Sequence, residues 1–158
     1  MPRSSRSTEA RCTSERGSAS LEFLTVGMIL LVSLVYLVLA VAAIQAGAFG
    51  VEGAARQAAR IAAQQAATGE GGDGGATGAV DRAVRIALAD YGVDAGSATV
   101  TLSCSGDCTQ PGSRVTARVR AAVALPLMPE VLAITPIASV PLEASATQTV
   151  SRFGVGAP

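Results

Sequence analysis

The sequence predicts an α+β protein: a long N-terminal helix that can cross a membrane, followed by a small head of one short helix and a three-stranded antiparallel sheet. The helix is predicted from Phe23 to Val51, a run of 29 residues without a charged side chain. This exceeds the ~20 residues that a helix needs to cross a bilayer. After residue 79 the apolar residues recur first at a helical period and then at a period of two, which is typical of strands.

Composition narrows the classes of function. Twelve basic and twelve acidic residues cancel, so charge predicts no nucleic-acid partner. The chain contains no His, and it therefore lacks the commonest general base and the imidazole metal ligand. The sequence predicts no enzyme, no cofactor and no metal site.

Residues 1–17 form a basic segment ahead of the apolar run. They contain four Arg, two Glu and almost no apolar side chains, so they cannot bury a core and are expected to be disordered. On the far side of the run, Glu52 precedes Arg56 and Arg60. Because basic residues favour the cytoplasmic flank of a span, we expect the N-terminus in the cytoplasm and the head outside it.

A carboxylate stands at the edge of the apolar run, in the segment Gly17-Ser18-Ala19-Ser20-Leu21-Glu22-Phe23. A charge in the hydrocarbon costs about 2.5–3.5 kcal/mol, and such residues are functional candidates. The alternative is that Glu22 lies at the interface and stays hydrated.

This segment resembles a type IV prepilin processing site. The Glu-Phe pair and the small polar residue after Gly17 most resemble the TadE-like pseudopilins of tight-adherence (Flp-type) pilus systems, whereas type IVa pilins usually place Phe at the first mature position. The resemblance implies that a membrane-bound prepilin peptidase cuts between Gly17 and Ser18 on the cytoplasmic side. Glu22 would become the fifth mature residue and, with Phe23, would serve processing and assembly. The amine of Ser18 in one subunit could then neutralise Glu22 of a neighbour, since paired buried charges are tolerated where single ones are not.

The resemblance also implies a pilin-like fold and a set of partners. These are the membrane, the prepilin peptidase, other pilin or pseudopilin subunits and the pilus assembly machinery. The protein would be a single-pass protein of the cytoplasmic membrane that can enter a cell-surface filament. Five regions are expected: a leader (1–17), a transmembrane helix (18–51), a helix extension (52–67), a Gly-rich linker (68–78) and an extracytoplasmic head (79–158).

Small residues recur at every fourth position of the long helix. Such a row lets helices approach closely in membrane pairs, so one interpretation is that this helix packs against other subunits. The alternative is that the row follows from composition, because Ala and Gly dominate this stretch. The positions are Ala42, Ala46, Gly50, Ala54, Ala58, Ala62 and Ala66.

The linker at residues 68–78 contains six Gly. Its Gly density resembles a phosphate loop, but it lacks the Lys-Ser/Thr that such a loop requires and carries two acidic residues. We therefore interpret it as a flexible connection.

The head is predicted from its periodicity. A helix over 79–91 places Val80, Val84 and Leu88 on one face, and Gly92 is its natural end. Strands are predicted over 98–104, over 114–123 and around 140–146, where Pro141 favours an edge strand or a strand start. A domain of this size has little core of its own, so it would gain stability by packing against the outer part of the long helix.

Cys104 and Cys108 enclose Ser-Gly-Asp in the turn between the first two strands. A disulfide is the favoured interpretation, because the predicted topology places them outside the cytoplasm, where disulfides persist. Cys12, on the cytoplasmic side, would stay reduced. The alternatives are a redox-active pair or a metal site, and two thiols without His are too few ligands for the latter.

Together these features predict a structural assembly subunit that is inserted with its N-terminus inside, cut after Gly17 and built into a pilus or secretion pseudopilus. The rival hypothesis is a single-pass, membrane-anchored binding or sensing domain whose N-terminus is never processed.

Overall fold

The computed structural model describes residues 15–69, 75–126 and 139–153, without the side chains of 15–18 and 75–76. Its helices are α1 (Glu15–Thr68) and α2 (Gly75–Ala89), and a single 3-10 turn follows at Ala95–Ser97. The strands are β1 (Thr99–Ser105), β2 (Arg114–Ala124) and β3 (Ser139–Thr149). The predicted α+β layout of one long apolar helix, one short helix and a three-stranded antiparallel sheet is confirmed.

The chain divides into two units, Met1–Leu39 and Ala40–Pro158. In the first unit α1 begins at Glu15, so the expected disorder is wrong for residues 15–17. The earlier start moves the unpaired N–H groups at the beginning of the helix away from the apolar run. The rest of the expected leader, with Cys12, lies outside the described residues.

The second unit has β2 at the centre of its sheet, in the order β1-β2-β3. Both neighbours are antiparallel, with Val119 opposite Val100 on one side and Ala144 on the other. The inward side chains of β2 are buried as the alternation predicts: Val115, Ala117, Val119, Ala121 and Val123. Val80, Val84 and Leu88 of α2 are buried as well.

The outer part of α1 completes this core, as expected for a head that lacks enough core of its own. Its contribution is a double row of small residues with Val51 at one end: Val51, Ala54, Ala55, Ala58, Ala59, Ala62, Ala63 and Ala66. A row this wide lets one helix contact the sheet and α2 together.

This packing corrects the interpretation of the small-residue row. Gly50, Ala54, Ala58, Ala62 and Ala66 are buried within their own chain, so they do not form a surface for neighbouring subunits. Their small side chains instead let the sheet and α2 approach the helix. Of the remaining positions in the row, Ala42 is exposed and Ala46 is half-buried.

The linker is shorter than predicted, because α2 begins at Gly75 rather than near Ala79. A helix that began at Ala79 would leave the amide of the buried Val80 without a helical partner, and the additional turn supplies one. At the other end, Gly92 has φ +69°. The amide of Val93 donates to the carbonyl of Leu88 at 3.0 Å and that of Gly92 to Ala89 at 3.0 Å, the Schellman pattern of a helix end.

β3 is an edge strand, as Pro141 predicts. Proline has no amide to donate, and here it pairs with Ala122 on the only neighbour that β3 has among the described strands. The strand runs from Ser139 to Thr149 and is longer than predicted.

Candidate functional site

The predicted processing and assembly segment occupies the first turns of α1. Gly17 and Ser18 are helical, and Glu22 and Phe23 are both exposed, Phe23 at 78 % of its surface. Ser18 and Glu22 are four residues apart and therefore lie on the same face of the helix. The structure thus brings the proposed new N-terminus and the carboxylate to one side of the helix.

The apolar surface that follows is bare. The large aliphatic side chains from Leu21 to Val41 are mostly more than half exposed, and none of the most apolar stretch of 18 residues is buried. Among the described helices, α1 is long and apolar enough to span a membrane. This surface is free to contact lipid or other apolar helices.

The polar side chains in and next to the apolar run differ in whether they have hydrogen-bond partners. The hydroxyl of Thr25 donates to the carbonyl of Leu21, and that of Ser33 to Ile29, each at 2.8 Å. These bonds let a hydroxyl enter an apolar environment, because its donor is satisfied by its own helix. Within residues 15–69, 75–126 and 139–153, by contrast, the structure shows no hydrogen bond or ion pair to the carboxylate of Glu22.

The second predicted site is the connection between β1 and β2. The sulfurs of Cys104 and Cys108 lie at bonding distance and their Cα atoms are 5.4 Å apart, which is within the range for a disulfide. Cys104 is the last residue but one of β1 and pairs with Val115 of β2. The bond therefore ties the loop directly to the sheet.

Hydrogen bonds hold this loop in one conformation. The carboxylate of Asp107 accepts from the amide of Thr109 at 3.0 Å and from its hydroxyl at 2.8 Å. These hydrogen bonds lower the pKa of Asp107 below its ordinary value, and the one from the backbone amide of Thr109 has the larger effect. At the base of the loop, Gly112 and Ser113 exchange hydrogen bonds with Val150, next to the end of β3.

The outer face of the sheet carries a charge cluster that the sequence analysis did not identify. The carboxylate of Glu143 accepts from Arg120 at 2.7 Å and lies 3.2 Å from Arg118. The hydrogen bond from Arg120, followed by the charges of Arg120 and Arg118, lowers the pKa of Glu143. The sequence signal was present, since all three residues alternate with the inward apolar positions, but pairing them requires the strand register.

Comparison of the chain with known proteins and structures adds nothing to the interpretation of these sites. No family model, curated protein or solved structure matches the chain. The resemblance to TadE-like pseudopilins stays a prediction from residues 17–23 and from the layout of the chain.

Proposed function

We propose that this protein is a pilin-like structural subunit, a minor pilin or pseudopilin, of a tight-adherence pilus or a related secretion system. The observation that carries the proposal is Glu22. It is an exposed carboxylate without a partner among the described residues, five positions after Gly17 and directly before a bare apolar helix. An assembly residue that awaits a partner from another subunit would have these properties.

Processing would create that partner. A cut between Gly17 and Ser18 frees an α-amine on the same helical face as Glu22. Within one chain this amine is held four residues from the carboxylate, and in a filament it can approach the Glu22 of a neighbour. Pairing the two charges offsets the cost of desolvating each of them in an apolar surrounding.

The peptidase must also reach the bond that it cuts. Because Gly17 and Ser18 are helical, the first turn has to open before the backbone can enter an active site. Opening is easiest at a helix end, where the amides lack intrahelical partners, and Gly17 lowers its cost because Gly is a poor helix former. The position of the cut, three residues into α1, is therefore compatible with cleavage.

The layout of the chain supports the same proposal. The exposed apolar helix of the first unit would serve both as the membrane anchor and as the surface through which subunits associate. The second unit would carry the head on the outer part of α1, on the extracytoplasmic side. There the disulfide of Cys104 and Cys108 would persist.

Cleavage is tested by mass spectrometry of the protein extracted from membranes of a strain that contains a prepilin peptidase. We expect a chain that begins at Ser18, and we expect Gly17→Leu to retain its leader, because Leu is a much stronger helix former than Gly and would hold the first turn closed. An intact N-terminus in the unaltered protein would contradict processing and favour the membrane-anchored binding or sensing domain.

Assembly is tested with Glu22→Ala. We expect the variant to insert into the membrane normally and to be lost from sheared filaments or from complexes with its partner subunits. Glu52→Ala is the matched control, because Glu52 is also an exposed glutamate of α1 but lies beyond the apolar run and is paired with Arg56 at 2.8 Å within its own chain. Normal assembly of Glu22→Ala would refute the proposed role.

A further inference from the structure

The outer face of the sheet, formed by the side chains of β1, β2 and β3 that point away from the core, is polar over four consecutive rows. Each row crosses the three strands in their register. The rows contain three arginines, one glutamate, eight hydroxyl side chains and no apolar side chain. Their members are Ser105, Arg114 and Thr149; Ser103, Thr116 and Thr147; Thr101, Arg118 and Ser145; and Thr99, Arg120 and Glu143.

The arginines of this outer face follow one strand. Arg114, Arg118 and Arg120 all lie on β2, and at ~3.4 Å per residue they span about 20 Å. Arg114 has no ion pair within the part of the chain that the structure describes. A linear array of cations suits a linear polyanion better than a single small anion, because several charges of one ligand can be bound at once.

Glu143 holds two of these guanidinium groups side by side without occupying them fully. Its carboxylate lies 2.7 Å from Nε of Arg120 and 3.2 Å from Nε of Arg118. Among the described residues, neither arginine donates a hydrogen bond from its terminal Nη groups. Both guanidinium groups therefore keep Nη donors for a ligand, and one positive charge remains after Glu143 is counted. A guanidinium can bind a carboxylate through two parallel hydrogen bonds.

The excess of positive charge in the second unit is concentrated on this face. Outside the outer face, the described residues of the unit carry as many acidic as basic side chains. At the loop end of the sheet, Asp107 is bonded to Thr109 and Arg152 approaches Gly112, so the two opposite charges lie at the same end. The acidic residues are Glu52, Asp81, Asp90, Asp94 and Asp107, and the basic residues are Arg56, Arg60, Arg82, Arg85 and Arg152.

We propose that the outer face of the sheet binds an acidic polysaccharide. Its carboxylates contact Arg114, Arg118 and Arg120, and its sugar hydroxyls contact the neighbouring Ser and Thr side chains. A Ser or Thr hydroxyl both donates and accepts hydrogen bonds, as the hydroxyl of a sugar does. The surroundings of Arg118 show this combination, because Thr101 and Ser145 flank it on the two neighbouring strands and both are exposed.

Two other polyanionic partners fit the outer face less well. Docking onto anionic lipid combines charged residues with apolar side chains that enter the bilayer, and the four rows contain no apolar side chain. Single-stranded nucleic acid is bound by aromatic side chains that stack on its bases, and the four rows contain no aromatic residue either. Binding of a polysaccharide requires neither leader cleavage nor assembly, because a single head carries the whole face.

The test measures binding of oligogalacturonate to the full-length, uncleaved protein in non-ionic detergent by isothermal titration calorimetry. Two matched ligands separate the role of charge from that of the hydroxyls. Methyl-esterified oligogalacturonate keeps the sugar hydroxyls without the charges, and oligoglutamate of equal length keeps the carboxylates without the sugar. We expect oligogalacturonate to bind and to weaken with added salt, and the ester not to bind. Oligoglutamate should bind about fivefold more weakly or less, since lost hydrogen bonds cost on this order.

The arginines are tested with the double variant Arg118→Gln and Arg120→Gln. It should bind oligogalacturonate roughly tenfold more weakly, because an exposed charge pair contributes up to about fivefold. The matched control is Arg82→Gln with Arg85→Gln, the same change of charge on α2, where both arginines are exposed and have no ion pair among the described residues. The control should bind as the unaltered protein does. Circular dichroism checks that both variants keep the fold.

Two single variants leave the cluster around Glu143 intact. Arg114→Gln should weaken binding of oligogalacturonate by up to about fivefold. Thr101→Val removes a hydroxyl beside Arg118 and should weaken binding of oligogalacturonate while leaving that of oligoglutamate unchanged.

The proposal would be overturned if oligogalacturonate failed to bind, if the two double variants lost affinity equally, or if oligoglutamate bound as tightly as oligogalacturonate. Tighter binding of DNA or of anionic phospholipid vesicles than of oligogalacturonate would also overturn it and would assign the face to that partner. Because the protein is uncleaved and unassembled, none of these results depends on the proposed function.

Discussion

Two stretches of the same helix, α1, use opposite side-chain sizes. From Leu21 to Val41 the apolar residues are large and exposed, and from Gly47 to Ala66 the apolar residues that face the head are small and buried. The first stretch also has the higher fraction of apolar residues. The size of the apolar side chains indicates which kind of neighbour suits each stretch.

If the first stretch is the membrane anchor proposed above, the two stretches have neighbours of different nature. Lipid chains are fluid and fill the gaps between protruding Leu, Val and Ile, so large side chains gain contacts there without a matching surface. A β-sheet and a second helix cannot rearrange in this way, because protein interiors are packed like crystals. Ala and Gly on α1 leave a shallow surface on which both can rest, and Ala54 and Ala58 are each 0 % exposed.

The largest effect should come from placing a large side chain in the small-residue stretch. Ala58→Leu inserts three carbon atoms between α1 and the rest of the core, and overpacking of this kind costs about 1–3 kcal/mol. Urea denaturation of the full chain in detergent, followed by near-ultraviolet circular dichroism, should show a lower midpoint.

Ala42→Leu is the control, because it makes the same change on the same helix where Ala42 is exposed. Its free energy of unfolding should stay within about 0.5 kcal/mol of the unaltered protein. Equal losses of unfolding free energy at the two positions would contradict the distinction between the exposed stretch and the stretch packed against the head.

Some features of this fold could be predicted from the sequence, and the meaning of the small side chains on α1 could not. The alternation in β2 and the spacing of Val80, Val84 and Leu88 predicted which faces are buried, because period alone determines the face. The row of small residues was misread, because a row shows that something approaches closely but not whether it belongs to the same chain. The start of α2 was misplaced, because the need of the buried Val80 amide for a helical partner outweighed the low helix propensity of Gly75 and Gly78.

In the candidate sites, too, the features that depend on contiguous residues were predicted and those that depend on folding were not. The segment from Gly17 to Phe23 was found from local sequence, because processing motifs are contiguous. The cluster of Arg118, Arg120 and Glu143 was not found, since its members meet only after β2 and β3 have paired in one register. Neither the absence of a partner for Glu22 among the described residues nor the contacts of the loop after Cys104 could be read from the sequence.

Two glycines of α1 allow the packed and the exposed surfaces of this helix to be compared by adding a single methyl group. A Cβ atom at Gly47 would contact a methyl group of Val123 and lie 3.2 Å from Leu142 Cδ1, whereas one at Gly53 would meet nothing within 4 Å. Ala favours a helix over Gly by about 0.8–1.0 kcal/mol. Gly53→Ala should therefore raise the free energy of unfolding by up to about 1 kcal/mol.

Gly47→Ala should instead lower the free energy of unfolding, because the branched Val123 cannot move aside without disturbing the core. The two variants are compared in the same denaturation experiment, where they should shift the midpoint in opposite directions. A stabilising effect at both positions would mean that the approach of the sheet to Gly47 is looser than the structure shows.

The smallest effect concerns two exposed carboxylates on the two units. Glu22 has no partner among the described residues, whereas Glu143 is held by Arg120 and Arg118, which lower its pKa from the ordinary value of 4.5. A carboxyl group with a lowered pKa stabilises the folded state above its ordinary pKa, and this stabilisation is lost as the pH falls through the folded value. The head should therefore lose a small increment of stability below pH 4.5, and Glu143→Gln should lack that increment.

The partners of Glu143 allow a finer test. Because the hydrogen bond from Arg120 is the largest cause of the lowered pKa, Arg120→Gln should raise the pKa of Glu143 towards its ordinary value. Arg118→Gln, the matched change at 3.2 Å rather than 2.7 Å, should raise it less. An NMR titration of the Glu143 carboxyl carbon measures both shifts. If Arg118→Gln produced the larger shift, charge alone rather than the hydrogen bond would hold this carboxylate, and the contrast with Glu22 would concern the number of nearby cations and not the presence of a bonded partner.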